Sequence, residues 1–284
     1  SLAAAILFVI VEMRAPEPLV PLSLFRSRTF TLATIASIAT GLAMFGTAVF
    51  LSQYMQMARG ATPTEAGVMT IPMIAGLLLA SITIGALISR YGHWKPYLIL
   101  GALLLIAGSA TLSTIHYDTP FLLVSIYMFL LGAGVGMTMQ NLVLVVQNTA
   151  DPRVMGAATA GVTFFRSLGG TIGVSVMGAV LATTATSLFT ERQGDVTAAL
   201  GTLGSQGAQI GAQLQSGALP QVSALPDVIR VIVEDIYATS IAHAFLVAVP
   251  LAVVSLIAIL FLPNKPLTRM TTSERVAASE ADLA

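Results

Sequence analysis

Residues 119–150 read TPFLLVSIYMFLLGAGVGMTMQNLVLVVQNTA and contain no Asp, Glu, Lys or Arg between Asp118 and Asp151. An α-helix rises about 1.5 Å per residue, so roughly 20 apolar residues cross the hydrocarbon core of a bilayer, which is about 30 Å thick. This stretch exceeds that length. It therefore predicts a helix that spans a membrane.

The composition of the whole chain extends this prediction to the class of protein. The chain has 284 residues, of which 56% are hydrophobic and 9% charged, and its mean hydropathy is +0.87. A soluble globular protein carries about 25% charged residues, so this chain lacks the ionic surface of one. Its 13 basic and 13 acidic residues cancel, which leaves no basic field to attract nucleic acid. The predicted fold class is all-α, a polytopic membrane helical bundle.

The charge-free stretches divide the chain into spans and connections. Residues 1–12 hold an apolar segment about half as long as a span requires, which we interpret as a truncated transmembrane helix of a longer protein. Residues 13–29 form a predicted cytoplasmic linker, residues 30–262 a six-helix bundle and residues 263–284 a cytoplasmic tail. The six complete spans are predicted at 31–55, 66–88, 97–115, 120–146, 156–182 and 239–262.

Residues 183–237 are predicted to form a long extracytoplasmic loop before the last span. Its part from 196 to 226 is built largely from Gly, Ala, Ser, Thr and Gln, which transfer poorly into lipid. Residues 225–237 alternate apolar and charged side chains. That spacing favours a short amphipathic helix that lies on the membrane or against the bundle.

The distribution of Lys and Arg predicts the orientation of the spans. Most of these residues fall in 13–29, 89–96, 147–155 and 263–284. The connections on the opposite side carry only Arg59, Arg192 and Arg230. Because cytoplasmic connections are enriched in Lys and Arg, we expect a multi-pass protein of the cell membrane, the inner or plasma membrane, with its C-terminus in the cytoplasm.

Glycines are clustered in the fourth and fifth spans. Small residues let membrane helices approach closely, which is how such helices gain packing energy in lipid. The alternative is a bending function, since clustered glycines loosen a helix. The predicted packing residues are Gly132, Gly136, Gly169, Gly170 and Gly173.

Several segments resemble the major facilitator superfamily. Residues 85–95, GALISRYGHWK, resemble the second-half copy of its signature loop, with Gly85, Arg90 and Gly92 as the loop or gating candidates. Ser89 stands where that loop has an aspartate. A latch at Arg90 therefore needs another partner, or the segment is only a tight, positive turn.

Further segments are similar to the fourteen-span drug:proton antiporters of that superfamily. They are the linker PLVPLSLFRSRTF at 18–30, the start of the second span at 65–72, the segment FRSLGGTIG at 165–173, the long loop before the last span, and Leu262 with Pro263. The resemblance implies the C-terminal half of such a transporter, whose partners are the lipid bilayer, a small-molecule substrate and the missing N-terminal half. It implies proton-coupled efflux of drugs or other hydrophobic solutes by alternating access, with no cofactor and the proton gradient as energy source.

Arg166 is the one charged residue well inside a predicted span. Charges at that depth mark transport pathways or ion pairs, although a long side chain can also extend to the membrane surface. In the fourth span, Thr138, Gln140 and Asn141 are predicted to face inward, where they either line a pathway or hydrogen-bond between helices. All acidic residues lie outside the predicted spans, so a carboxylate for proton coupling is expected in the missing half.

No catalytic or metal-binding pattern is present in the sequence. The three histidines are predicted at separate membrane edges, there is no cysteine, and neither a His-Glu-x-x-His motif nor a Gly-x-Ser-x-Gly motif occurs. We therefore expect a protein that is not an enzyme. Two alternatives to drug efflux stay open: transport of another solute, such as a sugar, an amino acid or a lipid precursor, and a non-transporting membrane anchor or assembly bundle.

Overall fold

The computed structural model describes residues 22–215 and 222–264, and every regular element within those ranges is helical. The predicted truncated helix 1–12 lies outside the described residues, as do residues 13–21 of the linker and 265–284 of the tail. The α-helices are α1 (Arg28–Met57), α2 (Pro63–Met69), α3 (Ile71–Tyr91), α4 (Lys95–Leu112), α5 (Phe121–Thr149), α6 (Met155–Glu191), α7 (Gln193–Thr202), α8 (Gly204–Gln215) and α9 (Asp227–Phe261).

Six helical segments of the described chain are long and apolar enough to cross a membrane: α1, α2 together with α3, α4, α5, α6 and α9. They correspond one to one with the six predicted spans, so the prediction of an all-α, polytopic helical bundle is confirmed. Two of them are much longer than predicted. α6 has 37 residues and α9 has 35, against the roughly 20 that a span requires.

The second span is interrupted at Thr70, between α2 and α3. Pro72 lies in the first turn of α3, and its ring nitrogen cannot donate the hydrogen bond that would continue a helix from α2. Upstream, the Thr62 hydroxyl accepts a hydrogen bond from the Glu65 backbone N–H, and the Glu65 carboxylate accepts one from the Thr62 N–H. This capping box starts the span, and the proline then divides it.

The spans form two sets of three. In one set α5 packs between α3 and α4, and in the other α1 packs between α6 and α9. α9 also contacts α4, and α1 contacts α5, which joins the two sets into one bundle. Inside the bundle, the Thr40 and Ser255 hydroxyls are hydrogen-bonded at 3.2 Å and tie α1 to α9.

The described residues of the predicted extracytoplasmic loop 183–237 are largely helical. α6 continues to Glu191, α7 and α8 follow, and α9 already begins at Asp227. The predicted short amphipathic helix at 225–237 is therefore not a separate element but the first turns of the last span. Low hydrophobicity argued against a membrane span here, but Ala, Gln and Leu favour helix whether or not the segment enters lipid.

These outer turns and the connecting helices pack into a small cluster beyond the bundle. Phe189 of α6 and Tyr237 of α9 are in edge-to-face contact, with ring centroids 6.0 Å apart. The Arg192 guanidinium forms a salt bridge with the Asp235 carboxylate. We call the unit formed by α7, α8 and the adjoining turns of α6 and α9 the cap.

Candidate functional site

Glycines bring α1 and α6 into backbone contact around Arg166. A Cβ atom on Gly41 would lie 2.2 Å from the Arg166 carbonyl oxygen, and one on Gly46 would lie 2.3 Å from the Met177 sulfur. The first contact is with backbone, which cannot move aside as a flexible side chain can. Because these pairs advance together along both helices, α1 and α6 run parallel.

Arg166 is buried between these two helices. Its relative exposure is 6%, and its Nη2 atom has no hydrogen-bond partner. Within residues 22–215 and 222–264, no carboxylate forms an ion pair with it. The bundle therefore encloses this side chain, and both sequence-based alternatives, a pathway role and extension to the membrane surface, stay predictions. Arg166 remains a buried cation without a counter-ion in the described part of the chain.

The contact with Gly41 places Arg166 away from both ends of α1. Gly41, which contacts it, lies about 20 Å from the start of α1 at Arg28 and about 24 Å from its end at Met57, at 1.5 Å per residue. Within its own helix, Arg166 lies 11 residues, about 16 Å, from the start of α6 at Met155. Charges at such a depth are costly and mark functional positions.

Two hydroxyl groups on α1 were not identified from the sequence. The Thr34 and Ser37 side chains are buried, with 2% and 0% relative exposure, and their oxygen atoms have no hydrogen-bond partner. Both precede Gly41 at helical spacing and share its side of α1. The spacing of these hydroxyls within an apolar span is visible in the sequence and could have identified them. It does not reveal which helix they face.

The polar residues of α5 differ in burial and in their hydrogen bonds. The buried Thr138 hydroxyl donates to the Gly134 carbonyl at 2.8 Å, and the buried Asn141 amide donates to the Met137 carbonyl at 2.6 Å. Gln140, in contrast, is exposed. Thr138 and Asn141, three residues apart, therefore share a buried side of α5 and hydrogen-bond within their own helix, whereas Gln140 lies on another, exposed side.

α6 also exposes a row of hydroxyl side chains. Each donates a hydrogen bond to the carbonyl four residues earlier in the same helix, at 3.0 to 3.2 Å. The row, which we call the hydroxyl stripe, consists of Thr163, Ser167, Thr171 and Ser175. Its four-residue spacing is visible in the sequence and would have predicted a single polar face on this span.

Beside the hydroxyl stripe, α6 exposes a parallel row of apolar side chains. α3 is also largely exposed along its length. The exposed apolar residues are Phe164, Leu168, Ile172 and Val176 on α6 and, on α3, Ile71, Ile74, Leu78, Leu79, Ile82 and Leu87. The two helices thus present the least buried faces among the six spans of the described chain.

The segment that resembles the signature loop forms the turn from α3 to α4. Gly92 ends α3 with a φ of 72°, a left-handed conformation that only glycine adopts without strain. Gly85 has no atom within 4 Å of a Cβ position. The Arg90 guanidinium lies 5.6 Å from the centroid of the Tyr91 ring and remains exposed.

Lys95, rather than Arg90, connects this turn to the rest of the bundle. Its Nζ donates to the Leu260 and Leu262 carbonyl oxygens at 2.9 and 2.7 Å. These are orphan carbonyls at the end of α9, where a positive charge also stabilises the helix dipole. Next to it Trp94 is fully buried. Lys95 thus fixes this turn to α9, while Ser89 stands where the family's loop has an aspartate.

The predicted packing glycines lie at helix crossings. Cβ atoms on Gly132 and Gly136 would lie 2.0 and 2.3 Å from the carbonyl oxygens of Met73 and Leu77. On α6, Gly169 and Gly173 face the Ile38 and Leu42 backbone at 2.3 and 2.6 Å, and Gly170 faces the Phe45 ring at 2.4 Å. At the four backbone contacts a methyl group requires the neighbouring helix to shift, and at Gly170 it requires the Phe45 side chain to move.

Comparison with known proteins places the chain in a family. Residues 4–174 match the model of the Major Facilitator Superfamily, and the chain belongs to that superfamily. It is therefore a multi-pass membrane protein of a transporter family, not an enzyme.

The similar proteins include several named for drug transport. The chain is 35% identical over 269 residues to an uncharacterized MFS-type transporter of Mycobacterium tuberculosis, covering 92% of this chain and 36% of that protein. It is 33% identical over 215 residues to the multidrug transporter protein MdtP of Bacillus subtilis, covering 76% and 39%. It is 30% identical over 259 residues to multidrug resistance protein 3 of the same species, covering 90% and 50%. The chain thus spans about a third to a half of the length of these relatives.

Proposed function

We propose that this chain acts as the C-terminal six-helix bundle of a proton-coupled antiporter that exports drugs or other hydrophobic solutes. The main support is the exposed hydroxyl stripe of α6. Hydroxyls are unfavourable neighbours for lipid tails, and polar side chains of membrane helices face a bundle interior or an aqueous cavity. In the described chain that face of α6 is uncovered, so it suits the wall of a transport pathway.

The exposed face of α3 supports a second bundle. It is apolar along most of its length, and the curated relatives are two to three times as long as the stretch they share with this chain. Major facilitator transporters consist of two six-helix halves that rock about a site near the middle of the membrane. In this proposal α3 and α6 face the other half, and the solute passes beside the hydroxyl stripe.

The energy source follows from the position of the acidic residues. α9 carries Asp227, Glu234 and Asp235 only in its first turns, which belong to the cap, and no acidic residue lies in the middle of a described span. A carboxylate that binds and releases the transported proton is therefore assigned to the remaining half. The Lys and Arg distribution further supports a cytoplasmic C-terminus and an extracytoplasmic cap.

Transport by the intact gene product tests this function. When the protein is reconstituted into vesicles with an imposed proton gradient, ethidium should move in the direction opposite to the proton flow. A protonophore should abolish this movement. Removing two hydroxyls of the stripe with Ser167→Ala and Thr171→Val should lower the rate about eightfold, at about 0.6 kcal/mol for each hydrogen bond in a membrane. Insertion should be unchanged.

Val254→Leu, at an exposed position of α9 outside the proposed interface, serves as the control and should transport at the normal rate. Transport that is independent of the gradient would contradict the antiport mechanism. A rate that is unaffected by the double substitution would remove the hydroxyl stripe from the pathway.

A further inference from the structure

We propose that Arg166, Thr34 and Ser37 form a buried binding site for a carboxylate that none of the described residues supplies. All three side chains are more than nine-tenths buried, and each has a polar atom without a hydrogen-bond partner. Buried polar groups are almost always paired in folded proteins. Three unpaired groups on two helices that pack against each other therefore point to a missing acceptor.

The register of α1 and α6 brings these groups to the same place. Arg166 Cγ lies 2.9 Å from the Cβ position of Gly41. A long side chain on a helix points toward the N-terminus of that helix, and α6 runs parallel to α1. The guanidinium therefore extends from Gly41 toward the preceding turns of α1, where Ser37 and Thr34 lie on the same side as Gly41.

The donor set specifies the class of ligand. A guanidinium has only donors and stays protonated, so the occupant must be an acceptor with a negative charge. A single cation balances a monoanion, and the planar fork of arginine matches the two oxygens of a carboxylate. The two hydroxyls supply further donors to the same oxygens. A doubly charged phosphate would require more positive charge than this crossing holds.

The carboxylate has two possible sources: an Asp or Glu side chain of the remaining half, and an acidic group of the transported solute. The first source rests on the proposed function, because it requires a second bundle. Binding of benzoate, with uncharged benzamide as its neutral counterpart, is measured without transport. It therefore reports on the site even if the transport proposal fails.

The first measurement is the thermal unfolding of the intact gene product in detergent with benzoate or benzamide. If solutes supply the carboxylate, benzoate but not benzamide raises the Tm, and Arg166→Gln abolishes the shift. The same variant then loses transport of carboxyfluorescein while its transport of ethidium persists. Thr34→Val and Ser37→Ala change the side-chain volume little and keep the charge. Each should weaken the affinity for benzoate about tenfold, the loss typical of a hydrogen bond to a charged group.

If an acidic side chain supplies the carboxylate, benzoate leaves the Tm unchanged. Arg166→Gln then slows transport of both dyes and shifts the pH dependence of ethidium transport, whereas Arg166→Lys keeps much of the rate. A purely structural arginine would not move the pH profile. Benzoate without effect, together with a normal pH profile in Arg166→Gln and normal transport of both dyes, overturns the proposal. A Tm shift produced equally by chloride and benzoate would identify a halide site and overturn it as well.

Discussion

Gly169 and Gly178 occupy the same helix, yet α1 approaches them very differently. A Cβ on Gly169 would meet the Ile38 carbonyl oxygen at 2.3 Å, whereas one on Gly178 would meet only the Phe50 ring, at 3.5 Å. The first contact is with backbone and the second is an ordinary van der Waals distance. The same residue type is therefore required at one position and replaceable at the other.

Gly169→Ala should destabilise the protein by about 1–3 kcal/mol, the usual cost of overpacking a closely packed site. Gly178→Ala is the matched control and should be neutral or slightly stabilising, since alanine is the better helix former. Thermal unfolding of both variants in the same detergent measures the difference. Equal unfolding temperatures would mean that α1 and α6 do not approach as closely as the structure shows.

At the scale of the helices, the turn from α3 to α4 stabilises the end of α9. Helix ends leave their last carbonyls without partners, and Lys95 hydrogen-bonds to two of those at the end of α9. This contact joins helices that are far apart in sequence. It gives the turn a structural role that does not depend on the aspartate of the family's loop.

Lys95→Met should therefore loosen the last turn of α9 and lower stability by about 1 kcal/mol, the scale of a helix-terminus charge and its hydrogen bonds. Amide hydrogen exchange over residues 255–261 should become faster. Lys95→Arg preserves the positive charge and should retain most of the protection. Unchanged exchange in Lys95→Met would show that water caps α9 equally well.

At the scale of the whole molecule, the structure places the α3–α4 turn and the cap at opposite ends of the bundle. The turn contacts the end of α9, at Leu260 and Leu262, and the cap contains its first turns. The orientation of the bundle in the membrane therefore decides on which side the α3–α4 turn lies, and the cap then lies on the opposite side. The chain contains no cysteine, so it contributes no background to labelling with thiol reagents.

We expect Ser205→Cys, in the cap, to react with a membrane-impermeant maleimide added outside intact cells. Ser89→Cys, beside the turn, should react only after the membrane is permeabilised, because Lys and Arg favour the cytoplasmic side. Both side chains are exposed in the structure, so accessibility alone does not separate them. The reverse labelling pattern would contradict the predicted orientation and a cytoplasmic C-terminus.

Hydrophobicity along the chain was sufficient to predict the class of fold and the number of spans. The charge-free stretch ending near Asp151 and the others like it all correspond to helices of the described chain. The same measure does not locate the ends of the helices α6 and α9, which extend beyond the predicted spans. It reports whether a segment favours lipid, whereas the helices continue to Glu191 and begin at Asp227 because helix formation does not require lipid.

The candidate site shows the same division between local and tertiary information. Arg166 was conspicuous in the sequence as a charge within a span, and helical spacing alone places Thr34, Ser37 and Gly41 on one side of α1. Only the tertiary structure decided that this side meets Arg166, that Asn141 is buried while Gln140 is exposed, and that Lys95 reaches α9. Periodicity determines which residues share a face of a helix, but the packing of the whole bundle determines which neighbour that face meets.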